Sequence, residues 1–494
     1  MDEVYQLEKN QRSIIGLSDD IEKQNERGVK SIVVQLGSRV TTYGIASVQT
    51  PERILTCISA KKEGATRFLR DSNDLSTVIK PETLVAIRKT LVDKGVIIED
   101  SKNQQVVEEP LSLTKSDQID IDLNAETVIG QIVSLPDYYV RFPLMKGNFS
   151  VSNSGTYRED NAISDLIQII EFIVLQKLKI ALMDLKDYDL ILVLPDNFDK
   201  KTYERFFDFL IKKFQFRGIS LHQESVMAFY GRNCSLGAFV DIGFTKSCLA
   251  AVDEGIQIRD SLLVGDLSIK TIRDIWRTIL KIKRNVNIDE FDFGNLEDLL
   301  WEKCACFSNN PVHIVETEIV KNTQNVKSYK VKLEYFDRPD TFTDVVFYTE
   351  DFILALNFIF EKSELNSIPL DKQILDWVQK LPSEVNKAKI LSNLVTSGGL
   401  SDIPGFAHLL EEHLIELITI ENAAFTAAGV CTENKEIGKY ECPFVGGCVV
   451  PKLDSYIEIV IFTDKYLANT KNDSKDKKSS LGENYLKERI SFQW

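Results

Sequence analysis

IVVQLGSRVTTYGIAS (Ile32 to Ser47) and GAFVDIGFTKSCLAAV (Gly237 to Val252) are one device written twice, almost two hundred residues apart. In each, a β-rich apolar run enters a turn with one glycine among small or polar residues, and a second β-rich run leaves it. Gly37 and Gly243 suit tight hairpin turns. Successive backbone amides in such a turn also form a concave nest for phosphate oxygens. Two such turns face to face would clamp a nucleotide between two lobes. The first turn holds no acidic residue and the second only Asp241. A clamp that hydrolyses ATP needs carboxylates around a hydrated Mg²⁺, so the expected pocket is poorly equipped for turnover.

At 494 residues the chain suits two lobes rather than one core. Its 44% hydrophobic and 27% charged content is that of a globular protein. A net charge of −15 argues against wholesale wrapping of nucleic acid but leaves room for a local basic face. Arg273, Arg277, Lys281, Lys283 and Arg284 are the candidate for one, with a solvated helix face as the favoured reading. The apolar stretch Leu166 to Leu182 is broken by Glu171, Gln176, Lys177 and Lys179, which predicts a buried helix and not a membrane span. The first residues, MDEVYQLEKNQR, have no apolar core of a secretory signal. Eight cysteines without a C-x-x-C spacing read as reduced, buried thiols. His408 and His413 stand at i and i+5, on different helix faces, so they do not make a zinc helix.

Residues 1–30 form an N-terminal arm. Residues 31–224 form a first lobe, with a charged insertion at 62–130 that has a helix near 81–95. Residues 225–438 form a second lobe, and 439–494 return to the first. Helix 162–180, strand 189–195, helix 199–214 and strand 218–223 alternate, which predicts a sheet covered on both faces. Lys471 to Lys478 (KNDSKDKK) reads as a charged loop, and Trp494 as a docking residue beside Tyr485, Ile490 and Phe492.

Three further segments follow the turns in order: FPLMKGNFS (Phe142 to Ser150), TSGGLSDIPGF (Thr396 to Phe406) and CPFVGGCVV (Cys442 to Val450). Together with the turns they resemble the actin family. Narrower signals are similar to an actin-related subfamily found in nuclear chromatin-remodelling complexes of the INO-eighty class. These are Gly37-Ser38-Arg39, LPDNFDKKTYERF (Leu194 to Phe206), His222-Gln223-Glu224-Ser225-Val226 and YLKERISFQW (Tyr485 to Trp494). The resemblance covers roughly 30–60 and 135–494. It implies an α/β, two-lobed, duplicated fold of the actin, Hsp70 and sugar-kinase type around a central nucleotide cleft.

Carried over position by position, the resemblance implies nucleotide binding by Gly37, Ser38 and Arg39 in the first turn and by Asp241, Gly243 and Thr245 in the second. Glu302 matches a pocket glutamate near the nucleotide sugar. Gly398 and Gly399 match a loop where glycines let backbone approach the base. The implied cofactor is ATP or ADP, with or without Mg²⁺. Gln35 stands where the family has an aspartate that orders Mg²⁺ waters, Thr42 where it has a phosphate-binding lysine, and Phe244 where it has an acid. Arg39 replaces a small residue beside the phosphates, either as a phosphate ligand or as pocket filling. Glu224, or Gln223 beside it, falls on the glutamine that positions attacking water. In-line hydrolysis rests on positioning and charge stabilisation, so no catalytic residue and no metal ligand is assigned. The implied partners are actin, a second actin-related protein, a helical segment of the motor ATPase, nucleosomal histones and linker DNA, in the nucleus and off the membrane. An actin-like ATPase with real turnover, and a scaffold of another remodeller or of a cytoplasmic assembly, are the alternatives.

Overall fold

A computed structural model describes residues 26–61, 89, 108–110, 126–291, 296–305 and 328–473, apart from short stretches at 49, 134–137, 153–156, 336–337, 339–340, 362–367, 384, 422–424, 426 and 432–440. Two sheets organise it. The first repeat becomes a hairpin of β1 (Ser31–Leu36) and β2 (Val40–Ile45), extended by β3 (Glu52–Leu55). β4 (Asp189–Leu194) lies parallel to β1, β5 (Gly218–Gln223) parallel to β4. The second repeat becomes the antiparallel pair β6 (Leu236–Ile242) and β7 (Ser247–Asp253), with β8 (Leu394–Ser397) parallel to β6. The short strand β9 (Ile461–Phe462) returns to the first sheet, antiparallel to β5, giving the order β9-β5-β4-β1-β2-β3.

The duplication expected from the repeats is therefore real: each hairpin's first strand takes a parallel neighbour from a distant segment. β1, β4 and β5 are buried along their whole length, as strands in a sheet covered on both faces should be. Alternate residues go to opposite sides. Ile32, Val34, Leu190 and Leu192 pack with α1 (Glu159–Phe172) and α2 (Lys200–Phe214). Val33, Ile191 and Val193 face the other way, onto α3 (Glu224–Arg232) and α7 (Cys442–Val449). α2 starts where Asp199 accepts the Thr202 amide, and ends at Gln215 in the left-handed conformation. Its apolar stripe of Tyr203, Phe206, Phe207, Leu210 and Phe214 is buried; full burial of one such side chain contributes about 1.5–3 kcal/mol.

α3 and α7 lie between the sheets. Val226, Met227, Phe444 and Val445 join the first sheet's core, whereas Ala228, Phe229 and Cys442 pack with Phe239, Ala250, Val252 and Val395 of the second. The two helices touch through glycines. A Cβ on Gly446 would sit 1.8 Å from the Met227 carbonyl oxygen, and one on Gly231 2.1 Å from that of Cys442.

Several expectations change in detail. The helix expected over 162–180 is α-helical only to Phe172 and continues as a π-helical stretch, Ile173–Lys177. KNDSKDKK is not wholly loop, because the helix Thr463–Asp473 runs into it; its remainder and Trp494 lie outside the described residues, as do the arm before residue 26 and most of 62–130. Within that insertion, Thr127–Ile129 pairs with Ile58–Lys61, and Glu108–Pro110 pairs with Ser328–Glu334. The predicted lobe boundary at 224/225 falls at the start of α3, and the one at 438/439 lies outside the described residues. Cys57, Cys248, Cys304, Cys442 and Cys448 are buried; Cys234 and Cys431 are half-buried with sulfurs 3.9 Å apart. His413 stacks on Phe360 with ring centroids 4.2 Å apart. Among the described residues, no helix is long and apolar enough to cross a membrane.

Candidate nucleotide-binding cleft

The two turns meet. Thr245 Oγ1 donates to Ser38 Oγ at 2.9 Å and accepts the Lys146 amide at 2.8 Å. Lys146 belongs to the small hairpin Leu144–Met145/Asn148–Phe149, the FPLMKGNFS segment, which turns at Gly147 with φ +77°. Both turns are tight. A Cβ on Gly37 would lie 2.6 Å from the Val40 carbonyl oxygen, and the Gly243 amide donates to Lys246 O at 2.9 Å. The TSGGLSDIPGF loop arrives beside the second turn: Gly398 has φ +80°, and a Cβ there would lie 2.4 Å from both Asp241 Oδ1 and the Ile242 carbonyl oxygen. Gly399 has room, its nearest neighbour being Ile269 Cδ1 at 3.6 Å from such a Cβ.

Arg39 does not point into free space. Its guanidinium donates to Asp298 Oδ2 at 2.6 Å, and Arg273 donates to Asp298 Oδ1 at 2.5 Å. Phe244 lies between the two cations, 5.1 Å from Arg39 and 5.3 Å from Arg273, and Phe142 covers Arg39 at 5.5 Å. Such guanidinium-on-ring contacts strengthen when desolvated. A cation from the first turn is thus held by an acid and an aromatic ring from the second lobe. The helices behind this tie are α4 (Ile269–Lys283) and α5 (Leu296–Cys304), seated by Trp276 against Trp301 and against Phe352 of α6 (Thr349–Asn357). Burial works to raise the Asp298 carboxyl, but the charges and hydrogen bonds of Arg273 and Arg39 outweigh it and hold it below its ordinary value.

Glu302, expected in the pocket, is exposed on α5 one turn beyond Asp298; the helix carries Asp298 to the turns instead. The basic run on and after α4 is neither free for DNA phosphates nor a solvated face. Arg273 pairs with Asp298, Arg277 with Glu297, and Lys283 and Arg284 with Glu350 and Asp351. Lys281 is the exposed member.

A polar cluster lies behind the turns. Gln35 Nε2 donates to Glu224 Oε1 at 3.0 Å. Asp196 accepts the Ser225 amide and hydroxyl. Lys246 Nζ donates to Asn197 Oδ1 at 2.7 Å, and Asn197 Nδ2 to Lys146 O at 2.7 Å. Asp196, Asp241 and Lys246 are 4%, 3% and 5% exposed, so their charges act on one another in poor solvent. Burial, then the Asp241 and Asp196 charges, raise the Glu224 carboxyl, with Lys246 opposing. Burial raises Asp241 too, against Lys246. For Lys246, burial is overcome by the surrounding acidic groups, and its ammonium is held above its ordinary value.

Asp196, Asn197, Lys246 and Asp298 were not singled out from the sequence. The one available signal was a lysine placed directly in an apolar β-turn-β segment.

A pH effect follows from Glu224. Its proton is held more tightly in the folded chain than in the unfolded one, so stability is lost as pH rises from the ordinary carboxylate range through the raised value. Glu224→Gln keeps an oxygen for Gln35 and removes the charge. It is expected to match the parent at pH 5 and exceed it at pH 8 by on the order of 1–2 kcal/mol. Urea midpoints at both pH values measure this; identical pH profiles would contradict it.

The family model described as "Actin" matches residues 26–297, more than half of the chain. The chain belongs to the actin family. Among its relatives, the "Probable actin-related protein 8" of Schizosaccharomyces pombe is 20% identical over 78% of this chain and 76% of its own length. "Actin-related protein 8" of Homo sapiens is 33% identical over 127 residues, which are 26% of this chain and 20% of the human protein. The structure described as "Human actin-related protein Arp8 in its ATP-bound state" superimposes with a TM-score of 0.73 at 19% identity, over 94% of this chain and 96% of that one. At that identity the likeness is one of fold: two actin-type lobes around a cleft, as the repeats implied.

Proposed function

We propose that this actin-family chain is a scaffold subunit of a nuclear, ATP-dependent chromatin-remodelling complex of the INO-eighty class, and that it holds ATP or ADP between its lobes as structure rather than as fuel. The observation that carries this reading is the cleft itself. Two tight turns face each other beside a glycine loop, but Gln35, at the family's metal-ordering position, is neutral and bonded to Glu224, and Arg39 is tied to Asp298 in the other lobe. The names of the relatives, actin-related protein 8, and the ATP-bound description of the human one support the same reading.

The residues fit a nucleotide. Around the turns and the glycine loop, the side-chain oxygens of Thr396, Ser397 and Ser247, and Gln35 Oε1, are buried without a partner among the described residues. Gly37, Ser38, Gly243, Thr245, Gly398 and Gly399 would hold the nucleotide, with Asp241 beside Gly398. Arg39 would serve the pocket by bracing it. Bound nucleotide then stabilises the closed two-lobed state by mass action.

Actin, a second actin-related protein and a helical segment of the motor ATPase are the partners of this reading, with histones and linker DNA as what the assembly engages. Arg273, Arg277 and Lys283 of α4 are taken by intramolecular ion pairs, which leaves Lys281 as the exposed member of the run, so that helix offers no cluster of cations to DNA.

Two measurements test the proposal. Chromatography of the supernatant after acid denaturation is expected to recover about one adenine nucleotide per chain. Phosphate release with Mg²⁺ and ATP is expected to match that of Asp241→Ala. Release well above that variant would favour an actin-like ATPase, and co-purification with a cytoplasmic assembly lacking any remodelling ATPase would overturn the partner assignment.

A further inference from the structure

Lys246 is a charge that the reading above leaves without a task. It stands in the second turn, next to the Thr245 that touches Ser38 of the first, and its side chain is only 5% exposed. Burying an ammonium is costly unless something compensates it. Here the compensation comes from a distance. Asp241, Asp196 and Glu224 all act on it electrostatically, yet among the described residues its hydrogen bond goes to a neutral atom, Asn197 Oδ1 at 2.7 Å. An ammonium has three N–H donors, and one is accounted for. Behind the contact between the two turns there is therefore a buried cation with hydrogen-bonding capacity to spare. The other cation at the turns, Arg39, is committed to Asp298.

The same cluster does not suit a divalent metal. Gln35 is neutral and bonded to Glu224. The carboxyls that would attract a dication, Asp241, Asp196 and Glu224, already act on an ammonium, whose charge opposes a second cation near them. Mg²⁺ is bound through oxygen ligands in near-octahedral geometry with several retained waters, and the positive charge of the buried ammonium opposes a dication beside the same acids.

We propose that Lys246 is the resident cation of the cleft: it receives the polyphosphate oxygens of the bound nucleotide, which is therefore held without a divalent metal. The proposal rests on the nucleotide reading above, and its test separates the two. Nucleotide-free full-length chain is titrated with a fluorescent ATP analogue, once with Mg²⁺ and once with EDTA. For the parent chain the affinity is expected to change by less than roughly threefold between the two conditions. Lys246→Met is expected to bind about tenfold or more weakly in EDTA and to recover part of the loss on adding Mg²⁺. Lys246→Arg, which keeps the charge, is expected to stay closer to the parent in EDTA.

A parent chain that binds tenfold more weakly in EDTA overturns the inference while leaving the nucleotide reading intact. So does a folded Lys246→Met that binds like the parent in EDTA. Should Lys246→Met fail to fold, the parent comparison decides alone. A parent chain that binds no nucleotide in either condition removes the nucleotide reading itself.

Discussion

Gly446→Ala is expected to be the most damaging glycine-to-alanine change among the described residues. α3 and α7 approach so closely that the new Cβ would lie 1.8 Å from the Met227 carbonyl oxygen and 3.0 Å from the Gly231 amide nitrogen. Both are backbone atoms of a helix packed on two sheets, so neither can rotate aside as a side-chain tip would. Overpacking usually costs 1–3 kcal/mol; a backbone collision in the wall shared by both lobes should reach about 4 kcal/mol or more, a range kept for disrupted cores. The expected result is insoluble protein or, where it folds, a thermal midpoint lower by about 10 °C. Gly399→Ala is the control: its nearest contact, 3.6 Å, is ordinary. It is expected to shift the midpoint by little more than a degree or two, consistent with a surface change of about 0.5 kcal/mol. Equal effects at the two positions would refute the close-contact argument.

Asp298→Asn should have the next largest effect, because it leaves two guanidiniums beside one another with no negative charge between them. Arg39 and Arg273 are each 12% exposed at the side chain, and Asp298 30%. Breaking a buried pair costs 3–5 kcal/mol; the partial exposure of Asp298 lowers the expectation to about 2–3 kcal/mol. The position of the loss matters more than its size. Glu297→Gln breaks the neighbouring pair with Arg277, which lies wholly within the second lobe. Both variants should loosen α5, but only Asp298→Asn should speed hydrogen exchange in the β1–β2 turn of the opposite lobe. An unchanged turn in Asp298→Asn would mean that the tie does not couple the lobes.

The parts of this fold that could be read beforehand were those where neighbours in sequence do the work. β4 is a short unbroken apolar run behind Asp189, β5 is a short strand that carries Ile219 and Leu221 between turn signals, and α2 repeats large apolar side chains at helical spacing behind an aspartate cap. The paired turns were visible because a glycine between two β-rich runs has few other uses. The π-helical stretch at Ile173–Lys177 was not visible, since its apolar pattern is also that of an α-helix. Nor was the role of Asp298. It depends on α5 facing a turn 259 residues away, and nothing near Asp298 in sequence distinguishes it from Glu302 one helical turn further on. The basic run misled for a related reason: Glu297, Glu350 and Asp351, which neutralise it, are scattered along the chain. Lys246 is the plainest case. A lysine in a turn is ordinarily a surface residue, and only the meeting of two lobes buries it.

The contact at Gly231 and Gly446 also has a mechanical meaning. Two helices separated by side chains can slide, because the side chains change rotamer as they pass. Here carbonyl oxygens sit against glycine backbones with no side chain between, so a longitudinal shift would drive backbone into backbone. The pair resists shear and yields most readily to rotation about its point of contact. It is an axle more than a hinge of flexible loop, and a twisting load applied to one lobe arrives at the other as torque.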